Sequence, residues 1–160
     1  MRCLPQRQRA RNGYAMRLVL FEPDQPGNAG TLIRTGAALG VAVDVVGPMG
    51  FAADAAALKR AAMDYAALAD VTLHADWAAF EAGFNGRLVL LTTAAETDVR
   101  DVDWRADDAL VLGRESVGAP DWLHQRADVR ARIAMAPGAR SLNVAVAGAM
   151  ALAIALDRVR

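Results

Sequence analysis

The chain has 160 residues, 54% of them hydrophobic and 22% charged, with 18 basic and 18 acidic side chains, which fits one globular domain and leaves no room for two. A domain of this length buries roughly two thirds of the surface its unfolded chain exposes, so neither a disulfide framework nor a structural metal is expected. The single cysteine, Cys3, excludes an intramolecular disulfide and suits a reducing cytoplasm, and His74 and His124 cannot fill a zinc site alone.

Arg2, Arg7, Arg9 and Arg11 crowd the first fifteen residues, and the remainder carries 14 basic against 18 acidic side chains. That body lacks the bulk positive charge of a general nucleic-acid binder, so a polyanion would have to meet a local patch. Residues 1–15 have no apolar core of a secretory signal and read as a disordered extension or an arm touching polyanion, with the domain running over 16–160. The most apolar stretch, Leu142–Leu156, contains Asn143 and is shorter than the roughly 18–20 residues of a membrane span.

Strands and helices alternate along the domain. Arg17–Phe21 is a short apolar run, Glu22–Gly27 a Pro/Gly-rich turn, and Asn28–Leu39 carries helical periodicity ending at Gly40. Val41–Val46 reads as strand, Ala53–Ala62 as helix, Val71–Leu73 as a weak strand and Trp77–Ala82 as helix. Leu88–Thr92 and Ala109–Leu112 are almost uninterrupted apolar runs, as expected of strands buried on both faces. A helix is expected to start near Pro120, a last strand spans Arg132–Met135, and Ser141–Asp157 is a helix apolar almost all round, which must be covered on more than one side. The pattern predicts an α/β single domain, a mostly parallel sheet flanked by helices.

Ligands of such sheets sit beyond the carboxyl ends of the strands, where four loops stand out. In the first, Asn28 between Gly27 and Gly30 is a candidate helix cap or ligand contact, and Arg34 a candidate phosphate grip or a solvated surface residue. The second is the strand end Leu91-Thr92-Thr93. In the third, Gly113-Arg-Glu-Ser-Val-Gly118, the glycines permit close approach to a ligand or positive φ. Glu115 between them either accepts hydrogen bonds from that ligand or favours the following helix N-terminus. In the fourth, Ile133 to Asn143, Ser141 reads as an N-cap, while Asn143 enters an apolar helix and needs partners. No GxGxxG fingerprint is present, and Lys59, the only lysine, has no P-loop around it. Seven small residues between Ala145 and Ala155 permit close helix approach, from which a homodimer is expected.

In order, Glu-Pro-x-x-Pro-x-Asn-x-Gly-x-x-x-Arg, Pro48-Met-Gly-Phe51, Lys59-Arg-Ala-Ala-Met-Asp-Tyr65, Gly-x-Glu-x-x-Gly and Ser141-Leu-Asn143 resemble the SPOUT (α/β-knot) RNA 2′-O-methyltransferases. The likeness, over Met16–Arg160, is strongest to the small tRNA (cytidine/uridine wobble nucleotide) 2′-O-methyltransferases. Ala119 departs from the Leu or Val common after the second motif glycine.

The resemblance implies a C-terminal deep trefoil knot, an S-adenosyl-L-methionine pocket lined by Leu91, Thr92, Gly113, Glu115, Ile133, Met135 and Ser141, and a dimer completing the site. It assigns Asn28, Arg34, Glu115 and Asn143 to catalysis or its support. The substrate implied is the wobble cytidine or modified uridine in the anticodon loop of tRNA, of leucine tRNAs in particular. Arg34, Arg60, Arg114 and Arg140 are the candidate RNA contacts, and no metal or membrane is called for. Tyr65 and Trp122 are expected in the core rather than as stacking platforms. The competing readings are a SPOUT 2′-O-methyltransferase acting on another RNA such as ribosomal RNA, and a non-catalytic nucleotide-binding module.

Overall fold

The computed structural model describes residues 15–160; the arginine cluster of the expected extension 1–15 lies outside the described residues. Six strands, β1 (Arg17–Phe21), β2 (Ala42–Val46), β3 (Val71–His74), β4 (Leu88–Leu91), β5 (Ala109–Leu112) and β6 (Val129–Ala131), form one sheet in the order β3-β2-β1-β5-β4-β6. Every pairing is parallel, so all six carboxyl ends share one edge.

Strand side chains alternate between two apolar layers, as the period of two requires. Leu18, Leu20, Val43, Val45, Leu110 and Leu112 face helices α1 (Pro26–Leu39), α2 (Ala55–Arg60) and α5 (Val144–Arg158). Val19, Phe21, Val46, Leu88, Leu90 and Val111 face α3 (Trp77–Glu81) and α4 (Asp121–Arg126) through Phe80, Phe84 and Leu123. Asp44 in mid-β2 is 2% exposed, paired with Arg17 of β1 and, at 2.7 Å, with His74 of β3. A buried carboxylate is tolerable only with such partners, and these bind three neighbouring strands. Helix α5 lies directly on β5 and α1, since a Cβ on Gly148 would stand 2.6 Å from Leu112 Cδ1 and 2.8 Å from Leu32 Cδ2.

Four expectations are corrected. Helix α1 starts at Pro26, not Asn28; proline's fixed φ suits the first helical position, and Asn28 sits inside the first turn instead of capping it. The last strand is Val129–Ala131, not Arg132–Met135: Arg132 exchanges backbone hydrogen bonds with Thr97 and Val99, and residues 133–135 leave the sheet. Helix α5 starts at Val144, and its cap is Asn143, not Ser141. Tyr65 and Trp122 are not core residues. Trp122 is 45% exposed, resting edge-on against Phe21 and Trp77, and Tyr65 ends an exposed 3-10 turn, Met63–Tyr65.

Helix α5 buries one face only. Val146 and Met150 on the other are 50% and 43% exposed in the single chain. Among the described residues, no helix is long and apolar enough to cross a membrane.

Candidate active site

Three loops leave the carboxyl edge of the sheet and meet beside the start of α5. They are residues 22–25 after β1, which run into the first turn of α1, 113–119 after β5 and 132–143 after β6. Together with the end of β4 they enclose a cavity of about 590 Å³, inside the range of roughly 300–1,000 Å³ usual for small-molecule sites.

Helix α5 begins at the cavity wall. Its first free amides, those of Ala145 and Val146, donate to Asn143 Oδ1 at 2.8 and 3.2 Å, and Asn143 Nδ2 donates to Asn28 Oδ1 at 3.0 Å. The polar residue entering the apolar helix thus finds the partners it needs in the helix itself and in the first turn of α1.

The third loop is tied to the first through Glu115 and its neighbours. Glu115 Oε2 accepts from the Asp24 amide at 2.8 Å, Ser116 Oγ donates to Asp24 Oδ2, and Arg114 Nη1 donates to Glu22 Oε2 at 3.3 Å. Glu22 holds a left-handed φ of 43°, an unfavourable conformation for a residue with a Cβ. Its amide is fixed by Val46 O at 2.7 Å.

Burial, with the nearby Asp24 carboxylate, pushes Glu115 above the ordinary carboxyl range. Hydrogen bonds that Asp24 accepts from Ser116 and from the Glu115 carboxyl hold it below that range. Two adjacent carboxyl groups are thereby driven apart in acidity, a pattern concentrated at functional sites.

The seven expected pocket positions, Leu91, Thr92, Gly113, Glu115, Ile133, Met135 and Ser141, all border this cavity, together with Asn28, Arg114 and Asn143. Arg34, Arg60 and Arg140 do not border it. Arg60 and Arg140 are exposed, in the last turn of α2 and beside Ser141. Arg34, exposed on α1, has its guanidinium 5.6 Å from the centre of the Tyr65 ring and 3.6 Å from Met63 Sδ.

Gly113 approaches its own loop closely, since a Cβ there would lie 2.6 Å from the Ala119 nitrogen. Gly118 takes the positive φ, 72°. Sequence reasoning passed over Asp24 and Ser116. The available signal was the position of Asp24 within Glu22-Pro-Asp, but nothing local showed that residue 116 would be its partner.

The walls suit an amphipathic nucleoside. Leu91, Leu112, Ile133, Met135 and Leu142 offer apolar surface, while strand ends and two loops offer backbone polar groups and one carboxyl. Among the described residues, no cluster of three or more His, Cys, Asp or Glu is arranged to hold a metal ion.

The chain belongs to the SpoU rRNA Methylase family, whose model matches residues 15–153, and its structural neighbours are SPOUT methyltransferases. Within that family it is 43% identical over 145 residues to the tRNA (cytidine(34)-2′-O)-methyltransferase of Beijerinckia indica subsp. indica, a match covering 89% of this chain and 91% of that one. A solved structure described as giving structural insights into the 2-OH methylation of C/U34 on tRNA superposes with a TM-score of 0.83. It is 35% identical, and the match covers 89% of this chain and 95% of that one. An AdoMet-bound rRNA methyltransferase from Sinorhizobium meliloti superposes with a TM-score of 0.78 at 28% identity, over 91% of this chain but 57% of that one.

Proposed function

We propose that this protein transfers a methyl group from S-adenosyl-L-methionine to the ribose 2′-oxygen of the wobble nucleotide, position 34, of tRNA, in the cytoplasm. One observation carries the choice of tRNA over ribosomal RNA. The chain spans 91% and 95% of the two relatives named for position 34, and 57% of the rRNA methyltransferase. The wobble nucleotide lies in a single-stranded loop, where a base can be splayed out and its ribose presented to an active site. Cytidine and modified uridine, in leucine tRNAs among others, are the expected acceptors.

The cofactor supplies a methyl already activated on a sulfonium. Leu91, Thr92, Gly113, Ile133, Met135 and Ser141 would hold it by apolar contact and backbone hydrogen bonds. The C–S bond breaks as the C–O bond forms, and the 2′-hydroxyl proton departs. The protein must align the hydroxyl and stabilise charge growing on its oxygen. Asn28, locked to Asn143, sits at the cavity wall, where it can orient the ribose, and Glu115 fixes the loop opposite through Asp24. A guanidinium is a poor base, so Arg34 binds the adjacent phosphate and stabilises oxyanion character, while a phosphate oxygen or water takes the proton. Arg60, Arg114 and Arg140 extend the RNA contact.

The exposed apolar residues Val146 and Met150 of α5 support a homodimer that completes the site, and we read the C-terminal strands and α5 as a deep trefoil knot.

The test incubates the protein with methyl-labelled cofactor and tRNA from cells lacking the enzyme, followed by alkaline digestion. Label in an alkali-resistant dinucleotide from the anticodon loop is expected, because a 2′-O-methyl group blocks cleavage at that ribose. Label appearing only in ribosomal RNA would replace the substrate. Binding of NAD or ATP without binding of S-adenosylmethionine would remove the enzymatic reading altogether.

A further inference from the structure

The segment Lys59–Tyr65 carries a motif that the cavity leaves unexplained, and its geometry is costly. Met63 adopts φ 53°, a left-handed conformation that side chains with a Cβ avoid, yet it is 64% exposed, so burying its own side chain does not account for the strain. The flanking residues fix the turn: Ala62 and Ala69 are buried, and the Tyr65 and Ala66 amides donate to Ala62 and Met63 carbonyls at 3.0 Å. The result sets Met63 Sδ and the Tyr65 ring side by side against α1, where both meet Arg34.

Among the described residues, no carboxylate pairs with Arg34. That choice of neighbours has a chemical consequence. A carboxylate would occupy the N–H fork of the guanidinium and compete with a phosphate for it. An aromatic face and a thioether hold the cation through the ring quadrupole and a polarisable sulfur, leaving its charge uncompensated and most of its N–H groups free.

We propose that Tyr65 and Met63 are positioning residues for Arg34, cradling its guanidinium without neutralising it so that its N–H fork is presented to an RNA phosphate. The proposal rests on the reading of Arg34 given under Proposed function. It explains why a strained, exposed methionine and a half-exposed tyrosine stand beside α1.

The experiment compares parent, Tyr65→Ala, Tyr65→Phe, Arg34→Ala and the Arg34→Ala/Tyr65→Ala double variant, measuring kcat and KM for tRNA and, separately, the Kd for S-adenosylmethionine. Tyr65→Ala is expected to lower kcat/KM for tRNA on the order of three- to tenfold, the scale of an exposed or partly desolvated cation–π contact. The cofactor Kd should stay unchanged. Tyr65→Phe keeps the ring and should restore the parent value, and the double variant should be no worse than Arg34→Ala. A parental rate for Tyr65→Ala while Arg34→Ala is inactive overturns the cradle and leaves the role of Arg34 standing. A parental rate for Arg34→Ala removes the role of Arg34 and the cradle with it. A weakened cofactor Kd in Tyr65→Ala, or a Tyr65→Phe as poor as Tyr65→Ala, also overturns the proposal.

Discussion

Asn143 and Asn28, 115 positions apart in sequence, are joined by a 3.0 Å hydrogen bond from Nδ2 to Oδ1, while the Asn143 Oδ1 caps helix α5. One side chain thus sets where the last helix begins and holds the first turn of α1 against it. The two duties separate by mutation. Asn143→Ala should cost about 1 kcal/mol, typical of a lost N-cap, or roughly 2–4 °C in Tm, together with methyl transfer. Asn143→Ser keeps a good capping acceptor but cannot reach Asn28, so thermal denaturation should find it near the parent while transfer to tRNA remains impaired. Equal activity for the serine variant and the parent would show that only the cap matters.

Gly113 offers a second test. A Cβ at this position would lie 2.6 Å from the Ala119 nitrogen and 2.8 Å from the Gly118 carbonyl carbon, both backbone atoms that cannot swing aside. Gly113→Ala must therefore open the loop that carries Glu115. Titration calorimetry should show S-adenosylmethionine affinity falling at least tenfold. The loss in stability should be on the order of 1–3 kcal/mol expected of overpacking. Unchanged cofactor affinity would mean that this loop does not shape the pocket.

The parts of this molecule visible in the sequence are those set by local pattern. The apolar runs of β4 and β5 and the α/β alternation follow from periodicity, and they stand in the structure where expected; the pocket positions come from the family resemblance, and the structure sets them around one cavity. Boundaries failed where a distant partner decided them. Asn143 displaces Ser141 as cap because its amide serves both α5 and Asn28. Arg132 leaves the sheet because the 97–99 loop takes its hydrogen bonds. Tyr65 looked like core because its ring is large and apolar, whereas a cation on α1 is its neighbour. Asp24 went unnoticed because its partners, Glu115 and Ser116, lie about ninety residues downstream.

Arg34 can be tested by a change that keeps its charge. Arg34→Ala should reduce transfer to tRNA by about 100-fold or more, the scale of losing a donor to a developing oxyanion. Arg34→Lys should recover little, because an ammonium replaces a planar fork with a point charge. Cofactor Kd should be the same in both variants, since Arg34 does not border the cavity. A lysine variant with the parent's rate would reduce the role of Arg34 to charge alone.

Glu115 and Asp24 should respond oppositely to pH. Burial raises the Glu115 pKa above its ordinary 4.5, so its ionised form is less favourable in the folded protein than in the unfolded chain. The stability linked to protonated Glu115 is therefore complete below about 4.5 and is lost as pH rises through the folded value. Asp24, held below its ordinary 3.8 by Ser116 and Glu115, contributes stability above 3.8 that disappears as pH falls through its folded value. Glu115→Gln keeps an acceptor for the Asp24 amide while removing the buried charge, so its Tm relative to the parent should climb between about pH 4 and 8. Asp24→Asn should be less stable than the parent by an amount that shrinks as pH rises over the same range, because removing the Asp24 carboxylate also removes part of what raises Glu115. Thermal scans across that range check both variants, with transfer assays at pH 7 alongside. A more stable Glu115→Gln that methylates poorly would mean that the carboxylate is retained for function against its cost in stability; one less stable than the parent at pH 7 would mean that its hydrogen bonds outweigh the burial of its charge.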